Sequence, residues 1–210
     1  MVLDPRGTRK RIFDAAVAEF AERGSAGARM ERIAARAQAN KESIYRYYGT
    51  KDELLARVID QYLDERGDQL LPDTDDLAGY VADSLAHFAE HPEFLRLSAW
   101  EALESGDSLD AGSFEHRARR YQQKLDAITA QQASGAVDPS LDPRHLLLVL
   151  NSLASYWTLM PQIVRLVLGE DPDDDACRRH QAFIAECVRR IVASPAPAEK
   201  PRRSSRHKPS

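Results

Sequence analysis

The stretch RMERIAARAQANKESIYRYYGTKDELL, residues 29–55, decides the fold of the N-terminal part of the chain. A first short helix has apolar residues at helical spacing, namely Met30, Ile33, Ala34 and Ala37. Gln38 and Ala39 then form a tight turn, and Asn40 is a suitable N-cap for a second short helix over residues 41–48. Two short helices across a tight turn, braced by a preceding helix, have helix-turn-helix geometry.

The second short helix has one inward face and one chemically rich outward face. At 100° per residue, Ile44 and Tyr48 share a face and are predicted to pack inward, so Glu42 and Arg46 lie nearly opposite. The side chains that complete or flank the outward surface are Lys41, Ser43, Tyr45 and Tyr47. Arginine and lysine suit guanine, glutamate accepts from cytosine, and hydroxyl groups suit phosphate oxygens. The pattern predicts a helix that reads DNA.

The charge distribution favours the same interpretation. Residues 1–51 contain eleven Lys/Arg and six Asp/Glu, whereas residues 52–193 contain thirteen and 26. Residues 194–210 are again basic, with five Lys/Arg and one Glu, and are rich in Pro and Ser. A basic head on an acidic body is typical of a nucleic-acid-binding protein whose second half does something else. The tail has no apolar face, and we expect it to be disordered.

The periodicity predicts an all-α fold, because helical spacing of apolar residues recurs nearly everywhere and no useful strand-like alternation occurs. Beyond a long helix over 51–71, breaks at Gly and Pro predict helices near 75–91, 93–105, 113–133, 142–159, 160–169 and 174–193. We therefore predict a three-helix DNA-binding domain over 1–51, a helical ligand-binding and dimerisation domain over 52–193, and a tail over 194–210.

Composition indicates a cytoplasmic protein with no membrane partner. The longest apolar run, 146–150, is far shorter than the roughly 20 residues that cross a bilayer, and the N-terminus has no apolar signal segment. Cys177 and Cys187 are ten residues apart and are predicted to be reduced thiols rather than a disulfide. No cofactor is predicted.

Residues 29–55 resemble the TetR family of bacterial regulators. The matching features are Ile33-Ala34, Ala37, the aromatic pair Tyr45 and Tyr48, Lys51 and Leu54; the preceding TRKRIFDAAVAEFAERG, residues 8–24, also fits the first helix of that family. The resemblance is close over about residues 8–66. Gln38 stands where the family usually has a turn glycine, and Arg29 replaces the usual Ser or Thr cap of the second helix.

The resemblance implies a set of DNA contacts and a mechanism. Base-reading positions fall on Lys41, Glu42 and Arg46, whereas backbone contacts fall on Thr8, Arg9, Ser43, Tyr45, Tyr47 and Lys51. A homodimer would place two such helices in successive major grooves of double-stranded DNA, about 34–36 Å apart. The resemblance therefore implies a transcriptional regulator. Because members of the family are usually repressors, we expect a repressor that a small-molecule effector releases from a palindromic operator.

The second domain carries independent hints of dimerisation and of a ligand site. Residues 146–168 are apolar nearly all round, which indicates burial on all sides, one of them against a second subunit. Aromatic residues with a few polar groups are the expected lining of a cavity for an unknown small-molecule effector. The candidates are Phe88, Phe94, Trp100, Glu101, Tyr121, Asn151, Tyr156, Trp157 and Met160.

Two alternatives compete with the regulator hypothesis. His87, Glu90 and His91 match the H-x-x-E-H pattern of zinc-dependent hydrolases, although Pro92 follows directly and places His91 at a helix end. A helical adaptor that binds protein is the second alternative, but it would not need the basic head or an outward Arg46. No Ser/His/Asp set or phosphate-binding glycine loop supports catalysis, so we do not expect an enzyme.

Overall fold

All regular secondary structure that the computed structural model describes, over residues 5–68, 70, 76–105 and 111–193, is helical. Ten helices follow one another: α1 (Pro5–Gly27), α2 (Met30–Ala37), α3 (Lys41–Tyr48), α4 (Lys51–Asp68), α5 (Leu77–Glu90), α6 (Pro92–Ser105), α7 (Ala111–Ser134), α8 (Pro143–Leu159), α9 (Pro161–Leu168) and α10 (Asp174–Val192). The predicted all-α fold is confirmed, and the helices predicted beyond residue 72 agree with α5–α10 to within two residues. The predicted tail, 194–210, lies outside the described residues.

An N-terminal core joins the first four helices. Ile12 and Phe20 of α1, Ile33 of α2, Ile44 of α3 and Leu54 of α4 are all fully buried in one cluster. The inward residues predicted for α2 are the ones that the fold buries. Ile44 is the one fully buried residue of α3, and the outward face of this helix stays exposed.

The turn between α2 and α3 uses a strained residue and a side-chain cap. Gln38 adopts the left-handed conformation, with φ of 50°, and no other non-glycine residue in the described ranges has a positive φ. The Asn40 side chain accepts a hydrogen bond from the Ser43 amide at 2.8 Å and caps α3 as predicted. The family's usual glycine is thus replaced without loss of the turn.

A buried carboxylate performs the capping that Arg29 cannot. Glu19 of α1 is almost fully buried and accepts a hydrogen bond from the Arg29 amide at 3.1 Å, at the start of α2. The same carboxylate accepts from the Arg32 guanidinium at 2.6 Å. Burial raises the pKa of Glu19, but the hydrogen bonds from Arg32 and from the Arg29 amide outweigh burial and lower the pKa overall.

The C-terminal core forms around α5, which packs against both α8 and α10. Its fully buried residues include Val81 and Leu85 of α5, Leu150 of α8 and Val188 of α10. Cys177 and Cys187 on α10 are free thiols, as predicted. No single helix in the described ranges is long and apolar enough to cross a membrane; only α8 and α9 together reach the length, and they meet at 86°.

Helix α6 belongs to both cores. Leu97 is buried in the N-terminal cluster, whereas Leu95 is buried in the C-terminal cluster, and Phe94 packs against both. One further turn along, Trp100 lies against Gly24 of α1, where a Cβ atom would be only 2.9 Å from the indole ring. Gly24, with φ of 63°, interrupts the helical geometry of α1.

Replacing Glu19 with Gln should lower the free energy of unfolding by about 1–3 kcal/mol near neutral pH, because an ionised acceptor of two buried hydrogen bonds is lost. The depressed pKa means that this contribution is present above the ordinary value of 4.5 and is lost as the pH falls through the folded-state pKa. Urea unfolding at neutral and acidic pH measures both effects.

Glu22→Gln is the matched control, since Glu22 pairs with Arg36 on the surface and exposed pairs contribute at most about 1 kcal/mol. Equal destabilisation by the two substitutions would refute the structural role of Glu19.

Candidate nucleic-acid interface and ligand cavity

The outward face of α3 carries the residues that the sequence predicts. Glu42, Tyr45 and Arg46 are exposed, and Ser43 and Tyr47 are half-buried beside them. Tyr45 exposes 49% of its surface, so its phenol is accessible to a binding partner. An exposed arginine, carboxylate and phenol on one short helix form a surface that can contact base edges and phosphates.

Arg46 and Arg9 both lie over the ring of Tyr47. Their guanidinium carbons are 4.8 Å and 5.2 Å from its centroid, within the range of a cation–π contact. Arg46 also donates to the Ser43 hydroxyl and to the Tyr47 hydroxyl, both at 3.3 Å. The structure therefore brings four of the predicted DNA-contact residues, Arg9, Ser43, Arg46 and Tyr47, into one exposed cluster.

Three other predicted contacts are engaged within the protein. Lys41 pairs with Glu31 of α2 at 2.5 Å on the surface, which raises its pKa through the hydrogen bond to that carboxylate. The Lys51 ammonium donates to the Ser25 carbonyl at 2.8 Å, so it ties the start of α4 to the end of α1. Thr8 is buried and its hydroxyl accepts from Arg11, which favours a structural role over a phosphate contact.

The start of α4 is closed by a capping box. The Thr50 amide donates to the Glu53 carboxylate at 2.7 Å, and the Thr50 hydroxyl accepts from the Glu53 amide. A carboxylate already occupies this helix N-terminus, which makes the N-terminus less suited to bind a phosphate. Tyr48, predicted to be core, is only half-buried and donates through its hydroxyl to the Arg9 carbonyl at 3.0 Å.

A cavity of about 490 Å³ lies in the second domain between α5, α6, α7 and α8. Of the predicted ligand residues, Phe88, Phe94, Glu101, Tyr121 and Asn151 line it. Its volume lies within the range usual for small-molecule sites. A second cleft, of about 640 Å³, opens between α1, α3 and α4, and most of its lining is charged or hydroxyl-bearing side chains of the DNA-binding part.

Four predicted ligand residues lie elsewhere. Trp100 faces Gly24 instead of the cavity, and Trp157 is buried against α10, where it stacks on His180 with ring centroids 4.7 Å apart. Tyr156 and Met160 are exposed, at 52% and 42% of their surfaces. Aromatic character predicts packing but not the partner, so the sequence could not separate these positions from the cavity lining.

Sequence reasoning missed three cations that line the cavity, Arg117, Arg120 and Lys124 of α7. Arg120 and Lys124 are more than nine-tenths buried. Their i, i+3, i+7 spacing was the available signal, because it places all three on the face that also carries the buried Ile128. Arg117 forms a bidentate pair with Glu101, with N–O distances of 2.6 and 3.1 Å.

Lys124 is a buried cation whose hydrogen-bond partner is uncharged. Its ammonium donates to the Tyr80 hydroxyl at 3.0 Å and lies 5.4 Å from the centre of the Tyr80 ring. Burial, and to a lesser extent the neighbouring positive charge of Arg120, lowers its pKa to about 8. Burial also raises the pKa of Tyr80 to about 12, so the phenol stays neutral. The cavity thus holds an ionisable amine that the protein keeps out of water.

These features define a helix-turn-helix protein: an exposed polar recognition helix on a small helical core, joined to a helical domain that contains a cavity. Residues 12–58 match the family described as bacterial regulatory proteins, tetR family, and residues 76–190 match the tetracyclin repressor-like C-terminal domain. The chain belongs to the TetR family of DNA-binding transcription regulators and is not an enzyme.

Individual relatives agree with the family. The HTH-type transcriptional repressor SCO4008 of Streptomyces coelicolor is 39% identical over 90% of this chain and 97% of that protein. The repressor NicS of Pseudomonas putida is 33% identical over 47% of this chain and 50% of its own length. The crystal structure of the putative regulator SCO4942 from Streptomyces coelicolor superposes with a TM-score of 0.76, at 33% identity, over 90% of this chain and 99% of that one.

Neither alternative to the regulator hypothesis, the zinc-dependent hydrolase or the protein-binding adaptor, is supported. Within the described ranges no group of three or more His, Cys, Asp or Glu side chains is placed to hold a metal ion, and the family offers the H-x-x-E-H pattern at residues 87–91 no support as a hydrolase site. Glu90 is exposed beside the end of α5, where His91 begins the break before α6. The match to a family of DNA-binding regulators likewise gives no support to the hypothesis of a protein-binding adaptor.

Lys124→Met should raise the free energy of unfolding by about 2 kcal/mol at pH 7. The folded-state pKa of about 8 lies below the ordinary 10.5, so the unfolded chain binds the proton more tightly and the ionised lysine opposes folding below pH 8. The advantage of the variant should shrink as the pH rises from 8 to 10.5. Urea unfolding across this range measures it.

Lys10→Met is the control, because Lys10 is an exposed lysine and its removal should change stability by less than about 0.5 kcal/mol. A Lys124→Met variant that is less stable at every pH would show that the Tyr80 hydrogen bond, rather than desolvation, dominates at this position.

Proposed function

We propose that the protein is a homodimeric repressor that binds a palindromic operator through α3 and leaves it when a small-molecule effector occupies the cavity. The observation that carries the proposal is the exposed Arg9–Ser43–Arg46–Tyr47 cluster on a rigid N-terminal core. Glu42, Lys41 and Tyr45 complete the contact surface. The naming of its 39%-identical relative as a repressor supports the direction of control.

The dimer is supported by apolar surface on α8 and α10. Val149 and Tyr156 of α8 expose 44% and 52% of their surfaces, and Phe183 and Ile191 of α10 expose 65% and 42%. Residues spaced by seven or eight lie near one another on a helix face, so each helix presents an apolar stripe to solvent in the single chain. Two copies related by a two-fold axis would bury these stripes in a four-helix interface.

DNA binding and effector binding are assigned to the parts of the chain that form the two different cores. Residues 1–51 would bind DNA, and residues 52–193 would bind the effector and form the dimer, with α4 as the link because Leu54 and Val58 pack into the N-terminal core. Helix α6 offers a second link. Glu101 of this helix lines the cavity, whereas Trp100 contacts Gly24 of α1 and Glu104 accepts from the Ser25 amide at 3.0 Å.

The proposed mechanism is a shift between two dimer arrangements. An effector that repositions α6 would move the end of α1 through Trp100 and Glu104, and this would change the separation of the two α3 helices. A separation that departs from one turn of DNA, about 34–36 Å, no longer fits two successive major grooves. By linkage, operator DNA would weaken effector binding by the same factor.

Selection of duplex fragments from the source genome by the purified protein tests DNA recognition. Arg46→Ala should weaken binding to the selected fragment by about tenfold to a hundredfold, because a base-reading arginine is worth roughly 1–3 kcal/mol. Arg119→Ala, an exposed arginine of α7, is the control and should bind as the wild type does. Fluorescence anisotropy at fixed salt measures the affinities, and an unchanged affinity of Arg46→Ala would refute the assignment.

Phe183→Glu should raise the dimer dissociation constant at least about a hundredfold, because it places a charge in the apolar stripe of α10. Analytical ultracentrifugation measures the oligomeric state, and operator affinity should fall with it. Leu103→Glu is the control, since Leu103 belongs to α6, outside both apolar stripes, and exposes 77% of its surface. A Phe183→Glu protein that remains a dimer would contradict the proposed interface.

A further inference from the structure

The charged side chains that line the cavity come from α6 and α7. Among the described lining residues, Arg117, Arg120 and Lys124 are cations, and Glu101 is the single carboxylate. Glu101 is already engaged by Arg117 in a bidentate pair, in which both side chains are only 12% exposed. The positive charge at Lys124 is therefore not neutralised by Glu101.

The ammonium group of Lys124 has no negatively charged partner among the described residues. Its hydrogen-bond partner is the neutral Tyr80 hydroxyl, and no carboxylate in the described ranges lies within ion-pair distance of its ammonium group. A buried ammonium without a counter-charge costs free energy, as its lowered pKa also indicates. Tyr121 lies on the other side, with its ring centre 5.8 Å from the Lys124 nitrogen.

The remainder of the lining is largely apolar. Its apolar side chains are Leu63, Leu70, Phe88, Phe94, Leu95, Ala99, Leu148 and Leu159. Besides the phenols of Tyr80 and Tyr121, the uncharged polar side chains are Ser98 of α6 and Asn151, Ser152 and Ser155 of α8. The cavity thus combines an apolar volume with a positively charged end on α7.

We infer that the effector is an organic anion, an acidic head group on an apolar body, with the head bound by Lys124 and the Tyr80 hydroxyl. This inference rests on the proposed effector role of the cavity and specifies the chemical class of its ligand. A neutral apolar ligand would leave the ammonium group of Lys124 both desolvated and unpaired. A cationic ligand would place a second positive charge beside the Lys124 ammonium group, and Glu101 is already engaged by Arg117.

The test compares two fluorescent probes with one aromatic skeleton. Anilinonaphthalenesulfonate carries an anionic sulfonate, whereas N-phenylnaphthylamine lacks it, so their affinity ratio reports recognition of the charge. The full-length protein should prefer the sulfonate by about tenfold or more, because a hydrogen-bonded charge pair is worth more than about 1.4 kcal/mol. Lys124→Met should remove this preference and leave the affinity for the neutral probe within about twofold.

Two controls make the result decisive. Lys10→Met removes a surface lysine and should retain the preference, and Lys124→Arg, which keeps the charge, should retain most of it. Tetraphenylphosphonium, an apolar cation, should displace neither probe from the wild-type protein, a measurement that needs no variant. Equal affinity for the two probes, a preference that survives Lys124→Met, or displacement by the cation would each overturn the anion assignment.

A wrong ligand class can be told apart from a wrong proposed function. The probe titrations contain no DNA, and Lys124 lies in the second domain, remote from α3, so Lys124→Met should bind the selected operator fragment as the wild type does. Intact operator binding without a sulfonate preference would refute the ligand class alone. Absence of any selected DNA fragment would refute the repressor proposal.

Discussion

The packing of α6 into both hydrophobic cores is the constraint on which the rest of the structure depends. Leu97 anchors this helix among α1–α4, and Leu95 anchors it among α5, α8 and α10. A helix is rigid over three turns, so its two faces cannot move independently. The cavity residue Glu101 and the α1 contact Trp100 are sequence neighbours on this helix. The proposed coupling between the cavity and the DNA-binding part therefore runs through this helix.

Two buried charged groups, one in each part of the protein, have lowered pKa values for different reasons. Glu19 is desolvated, yet two donors satisfy it, and its pKa falls; this carboxylate fixes α2 against α1 and so positions the turn that presents α3. Lys124 is desolvated with only a neutral hydroxyl as partner, and its pKa falls for the opposite reason, since burial penalises the ammonium ion. The first charge stabilises the fold, whereas the second is retained at a cost in stability that a bound anion would offset.

The local features of the fold were predictable from sequence, and the tertiary partners were not. Helical periodicity, the Asn40 cap and the strained turn at Gln38 depend on neighbouring residues, so the pattern in residues 29–55 contains them. That Glu19 caps α2, that Trp100 faces Gly24 and that Lys124 lines the cavity depend on which helices meet, information that no local pattern carries. Charged residues of α7 resemble a solvated face until α5 and α6 cover them.

The most direct test of this account is the coupling between cavity and operator, measured in Trp100→Ala with Leu103→Ala of the same helix as control. In the wild-type protein, saturating anilinonaphthalenesulfonate should weaken operator affinity by about fivefold or more, within the usual range of allosteric coupling. Trp100→Ala removes the indole ring that contacts Gly24. This variant should still bind the probe and the operator separately, but the probe should weaken its operator affinity much less than in the wild type. An undiminished factor in Trp100→Ala, with Leu103→Ala unchanged, would contradict the role of α6 as the link.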